Sequence, residues 1–187
     1  MNAQLIALTA SVALFAATVH ADPPNPFYVD QQHRTIKAMS ADDIDGHLQG
    51  LELDYAKTAE LNHFPGPTHL RELADDLHLS AEVRMRIKRI EDDERTQARA
   101  LGQQIVQWEQ QLDSMFAHAT VDPELVSLLT ARIGTARGEL RAVHLTAHLH
   151  ARPLLSAAQV ARYDELRGYT QDLPPGIQDG KNHPHGH

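Results

Sequence analysis

The chain has 187 residues, 42% of them hydrophobic, enough for one domain with a core and too few for two comfortable ones. Seventeen Lys and Arg against twenty-five Asp and Glu leave a net charge of -8, which weighs against a nucleic-acid partner because phosphate contacts need a basic surface. Cysteine is absent, which excludes disulfides, thiolate ligands and thiol redox chemistry, whereas thirteen histidines are many for this length.

In chain order, the apolar run Leu5 to Val19 followed by Val19-His20-Ala21 predicts a secretory signal over residues 1–21, cleaved after Ala21, and hence a periplasmic location. The run carries no Lys or Arg before it and falls short of the ~20 apolar residues that span a bilayer. Residues 22–39, beginning "DPPNPF", read as a Pro-rich arm, residues 40–169 as a helical domain, and residues 170–187 as a disordered tail rich in Pro, Gly and His. Ser40 is placed to cap a first helix through Ile44, Leu48, Leu51, Tyr55 and Leu61, which Gly46 and Gly50 weaken. "FPGP", Phe64 to Pro67, breaks the chain, and Pro67 opens a short helix through Leu70, Leu73 and Leu77. These first helices read as an N-terminal flap.

From Ser80 to about His118, Val83, Ile87, Ile90, Leu101, Ile105, Trp108, Leu112 and Met115 alternate threes and fours, predicting one long helix with Glu94 in its apolar stripe. "VDPE" supplies Asp122 as cap and Pro123 as first residue of a second long helix, with Leu125, Leu129, Ile133, Ala136, Leu140, Val143 and Ala147 on one face. So short a connection predicts an antiparallel helical hairpin in an all-α fold. Ser156 and Gln159 in "LSAAQ" form a capping box before Val160, Tyr163 and Leu166, and "LSAEV", Leu79 to Val83, is a looser copy.

These two Leu-Ser-x-x starts, with "AELNHFPGPTHLRELADDL" before them, resemble the LTxxQ superfamily of small periplasmic helical proteins over roughly Leu70 to Leu166. That superfamily includes Spy and CpxP chaperones and CnrX- and ZraP-like heavy-metal sensor and resistance proteins. The resemblance implies a bent helical protomer that forms a homodimer. It also implies a metal site built from histidines on the first helix, a Glu after the first LTxxQ, and a His and a Met before the second. Glu91 in "RIEDDER" matches the Glu, and His47 is the histidine on the first helix, but Ala147 and Ala151 stand where the His and Met belong.

The residues offer another set. In "HLTAHLHARP", His144 and His148 are one turn apart on one side of a helix, a spacing that can chelate one ion, and antiparallel pairing puts Glu94 level with His148 and Glu91 a turn beyond. The competing reading pairs Glu94 with Arg141 or with an arginine of a partner chain, and makes both histidines exposed helix surface and Glu91 part of a solvated acidic run. His183, His185 and His187 in the tail can bind Ni, Cu or Zn weakly. His33, His63, His69, His78 and His118 read as surface or capping residues. "HLTAH" has the two-His spacing of a zincin, but Leu145 stands where the general-base Glu belongs, and no nucleophile elbow or phosphate loop occurs, so no enzyme is expected. Two functions remain. One is a metal-binding protein of sensing or resistance type, taking Zn, Cu(II), Ni or Co without needing it to fold and read by an envelope signalling partner. The other is an ATP-independent chaperone for unfolded clients, presenting the row Arg84, Arg86, Lys88, Arg89, Arg95 and Arg99.

Overall fold

The structure, a computed structural model, describes residues 28–170 and divides the chain into two units, residues 1–32 and 33–187. In the first, Gln31 N donates to the Tyr28 carbonyl across a turn, 3.2 Å. The second is all-α, with no strand among the described residues and no helix there long and apolar enough to cross a membrane. The expected signal, the start of the arm and His183, His185 and His187 lie outside the described residues.

The four longer helices each begin where a short polar side chain satisfies free backbone N–H groups. Helix α1, Ala41–Gln49, opens on a capping box between Ser40 and Asp43. Its expected run to Leu61 is cut at Gly50, whose backbone turns left-handed (φ 67) and whose N–H returns to the Gly46 and His47 carbonyls. A Cβ there would lie 2.9 Å from the Arg95 carbonyl oxygen, so glycine is required twice over. The short α2, Lys57–Glu60, and α3, Pro67–Glu72, flank the Phe64–Pro67 break, and α3 ends earlier than its apolar spacing through Leu77 implies. Helix α4, Ala81–Ala117, is capped by Ser80, and α5, Pro123–Ala151, by Asp122. A 3-10 turn, Arg152–Leu154, accommodates Pro153 before α6, Ala157–Arg167, which opens on the Ser156–Gln159 capping box. Gln159 also donates through Nε2 to the Leu77 carbonyl at 3.1 Å, tying the start of α6 to the segment before α4.

Helices α4 and α5 are joined by residues 118–122 and pack along each other. Glu94 meets His144 and Glu109 meets Arg137, so partners rise along one helix as they fall along the other. Two apolar clusters hold the unit. One unites Leu70, Leu77, Leu79, Ile87, Ala151, Leu155, Val160 and Tyr163; the other unites Ala98, Ile105, Ala136 and Leu140. Along both long helices the stretch between these clusters is polar and buried: Glu91 and Glu94 on α4, His144 and His148 on α5. The buried stripe of α4 is therefore Ile87, Glu91, Glu94, Ala98, Gly102, Ile105 and Glu109, rotated from the expected one; Val83, Ile90, Leu101 and Trp108 are only partly buried. Gly102 admits α1, since a Cβ there would fall 2.0 Å from the His47 carbonyl oxygen. The end of the expected arm also packs: Ile36 and Met39 are buried, and Lys37 binds Asp113 through its backbone N–H at 2.9 Å and its ammonium at 3.1 Å.

Candidate functional site

The polar layer between the two apolar clusters is the feature that packing alone does not explain. A buried charge is tolerated only with a partner, and each glutamate on the α4 stripe has one. Glu109 accepts from Arg137 at 2.7 Å. Glu91 accepts from Arg71 Nε at 2.8 Å, Arg95 Nη2 at 3.3 Å and Thr68 Oγ1 at 3.3 Å, anchoring α3 to α4. Far from being a solvated acidic residue or a ligand near the histidines, Glu91 is buried between two guanidinium groups, which repel a metal cation. Glu94 accepts from His144 Nδ1 at 2.7 Å, a full turn from the His148 level expected for it.

His144 and His148 are fully buried, which removes the helix-surface reading. Their rings serve different partners. His144 donates Nδ1–H to Glu94 and stacks on Tyr55, with centroids 6.0 Å apart and planes 9° from parallel, while its buried Nε2 has no hydrogen-bond partner. His148 donates from Nδ1 to the Phe64 carbonyl at 2.6 Å and from Nε2 to Glu52 Oε2 at 3.3 Å, with Glu60 Oε2 3.9 Å from Nδ1. Donation from both nitrogens describes an imidazolium, which has no lone pair for a metal. Burial alone would push the His148 pKa down, but the Glu52 and Phe64 hydrogen bonds and the charges of Glu52 and Glu60 together outweigh it and raise it. Burial likewise pushes Glu52 up, and the hydrogen bond to His148 with the charges of His148, His144 and His69 outweighs it, holding Glu52 below its ordinary value. The chain passes close over His148 at Gly66, where a Cβ would stand 2.8 Å from the ring.

Around this pair the flap is fastened by further polar contacts. Glu60 accepts from Tyr163 and Tyr169 hydroxyls at 2.5 and 2.9 Å and from Gly66 N at 3.2 Å, with Arg167 Nε 3.4 Å away. Burial, then the Glu60 hydrogen bond, raises the Tyr163 pKa far above its ordinary value. His63 stands at the surface, as expected, and from there donates to buried Asp164 at 2.7 Å. His47, also buried, donates from Nδ1 to the Asp43 carbonyl at 2.7 Å, and its Nε2 accepts from Tyr55 at 3.4 Å. Tyr55 thus links His47 to His144, although the two histidines do not share an ion site.

A cavity of about 180 Å³ opens against His144. Glu52, Glu94, His69 and Arg95 are among its lining residues, with the backbone of Gly50 and Gly66. His69 is engaged at both nitrogens, by Glu72 at 3.2 Å and Arg167 at 3.2 Å. As the side chains stand, no three His, Asp or Glu among the described residues converge as a metal-ligand set. The chemistry available is nonetheless specific: an imidazole oriented through Nδ1 by a carboxylate, its Nε2 without a hydrogen-bond partner, in a cavity that a second carboxylate also lines. Carboxylate–histidine pairing of this kind fixes the tautomer and raises ligand basicity in metal sites.

Sequence reasoning missed Glu52, Glu60, Tyr55 and His69. Glu52 stands in a non-helical loop, where no periodicity marks it, and Glu60 had only its place beside "FPGP" as a signal. No family model matches the chain, and neither a curated protein nor a solved structure is significantly similar to it.

Proposed function

We propose that the chain is a non-catalytic, exported metal-binding protein of sensing or resistance type, a distant LTxxQ-like helical hairpin that takes a divalent transition metal at His144. The observation that carries this reading is the unpartnered, buried Nε2 of His144, oriented through Nδ1 by Glu94, in a side chain that lines a cavity with Glu52. Nitrogen and oxygen donors favour Zn, Cu(II), Ni or Co over Cu(I) and over calcium. His144 and Glu52 are the donors that would hold the ion, Glu94 is a positioning residue, and His148 is a competitor for Glu52. The ion supplies Lewis acidity and charge; the folded core does not depend on it. The apolar run before Ala21 supports export, and exposed Leu149, with Leu145 partly buried, supports a homodimer.

Zinc titration calorimetry on the full chain with His183, His185 and His187 replaced by Ala tests the reading. Micromolar binding, ~8 kcal/mol, is expected near neutral pH. His144→Ala should abolish it, and affinity should fall as the pH falls, because protons compete with the ion for its ligands. Binding no tighter than millimolar would overturn the proposal.

The chaperone reading has its own observation. Leu112 and exposed Phe116 line an apolar groove of about 510 Å³. The basic row does less than expected for it, because Arg84 binds Asp75, Lys88 binds Asp92, Arg95 binds Glu91 and Arg99 binds the Gln49 carbonyl. Suppression of client aggregation that disappears in Phe116→Ser would favour this alternative.

A further inference from the structure

We propose that the bare face of the α4–α5 hairpin seats a second copy of this chain across a two-fold axis at the level of Glu94 and His144, with Arg86 and Arg89 of each copy against Glu139 of the other. The inference gives the homodimer of the proposed function its face and its symmetry; it rests on that part of the reading and not on the metal.

The flap covers one side of the hairpin. Arg99 reaches the Gln49 carbonyl there, Arg141 the Thr58 hydroxyl and His148 the Phe64 carbonyl. Asp93 and Gln97 are two residues from Arg95 and Arg99, and so roughly 200° from them around α4, on the side away from the flap. That side carries two adjoining grooves, of about 380 and 460 Å³, which share Ile90 and His150. Asp93 and Glu139 line the first; Arg86, Arg89 and exposed Leu149 line the second. The groove therefore changes sign along its length. Its charges are also unspent: Arg86, Arg89, Asp93 and Glu139 make no ion pair among the described residues. Lys88 binds Asp92 four residues on, but Arg89 bonds only the Met85 carbonyl of its own helix.

The two ends are placed as a two-fold axis requires. Glu94 lies level with His144, to which it is bonded. Arg89 is five residues from Glu94 toward the start of α4, and Glu139 is five residues from His144 toward the start of α5. Because the helices are antiparallel, the two lie on opposite sides of that level, each about 7–8 Å from it. A half-turn about an axis through that level and normal to the face exchanges the ends and sets α4 of one copy against α5 of the other. Each arginine end then meets Glu139 of the second copy, and the contact is made twice, as a self-complementary interface demands. Between the ends the groove is lined by Ile90, Ala142, Val143 and Thr146, and nothing stands over Gly138, so the copies can approach closely. An acidic peptide or an anionic membrane would use the cationic end alone; a second copy uses both.

Sedimentation of the full chain at micromolar concentration tests this with two charge reversals, one chain carrying Arg86→Glu with Arg89→Glu and another carrying Glu139→Arg. The parent should be a dimer. Each reversed chain alone brings like charges together and should dimerise about tenfold or more weakly. Mixed in equal amounts, the two should form a heterodimer within about threefold of the parent, because every contact is again between opposite charges. Reversed chains that dimerise as tightly as the parent, or a mixture no tighter than either alone, would overturn this face and leave the homodimer standing. A monomeric parent overturns both. If a reversed chain does not fold by circular dichroism, the parent decides: its dimer should weaken by about threefold or more from about 50 to about 500 mM salt, and no change would overturn the pairing.

Discussion

His144 and His148 show how one helical turn separates two kinds of chemistry. Both leave α5 on the same side, yet the first bonds a glutamate through Nδ1 and leaves Nε2 without a hydrogen-bond partner, whereas a glutamate and a carbonyl engage both nitrogens of the second. Glu94→Gln should keep the fold but weaken zinc binding by about 10- to 100-fold, measured by calorimetry, because an amide orients the ring and raises its basicity less than a carboxylate. The Glu52–His148 pair should also mark stability with pH. The His148 value is raised from 6.5, so its contribution is complete below 6.5 and lost as pH rises through the higher folded value. The Glu52 value is lowered from 4.5, so its contribution is present above 4.5 and lost as pH falls through the lower folded value. The destabilisation caused by Glu52→Gln should therefore be largest between these limits. Urea unfolding of parent and variant at pH 5.5 and pH 9 checks this, and equal differences at both would count against the pair.

At the scale of elements, the fit of the flap onto the hairpin depends on glycine. Gly102→Ala would drive a Cβ into the His47 backbone, which cannot rotate away as a side chain can, so α1 must shift off α4. A loss of roughly 1–3 kcal/mol in chemical denaturation is expected. Gly134 and Gly138 are the controls: in the interior of α5, with nothing within 4 Å of an added Cβ, their replacement by Ala should stabilise by roughly 0.5–1 kcal/mol each. Ser156→Ala should cost about 1 kcal/mol by removing the α6 cap, and it also loosens Gln159, which reaches the Leu77 carbonyl. The caps at Ser40, Ser80, Asp122 and Ser156 were all legible in the sequence, because a cap joins residues three apart. The end of α1 was half legible: Gly50 announced a weakness, but the approach of Arg95 that makes it a full stop comes from another helix.

For the whole molecule, the proposed homodimer predicts that sedimentation at micromolar concentration gives a dimer and that Leu149→Glu, on the exposed side of α5, gives a monomer. A monomeric parent would leave Leu149 as isolated surface. The sequence by itself determined an all-α chain, the positions of its long helices and their starts, and the presence of an ionisable residue in an apolar stripe, because periodicity and capping act within a few residues. Only the tertiary structure decided what each buried charge meets. Glu52 and His148 are 96 residues apart, Glu94 and His144 50 apart, and Glu60 and Tyr163 103 apart. No local preference records such pairs. They form because packing apolar clusters on both sides of it draws the polar layer out of water, and each buried charge must then find its counterpart among the groups the fold brings within hydrogen-bond reach.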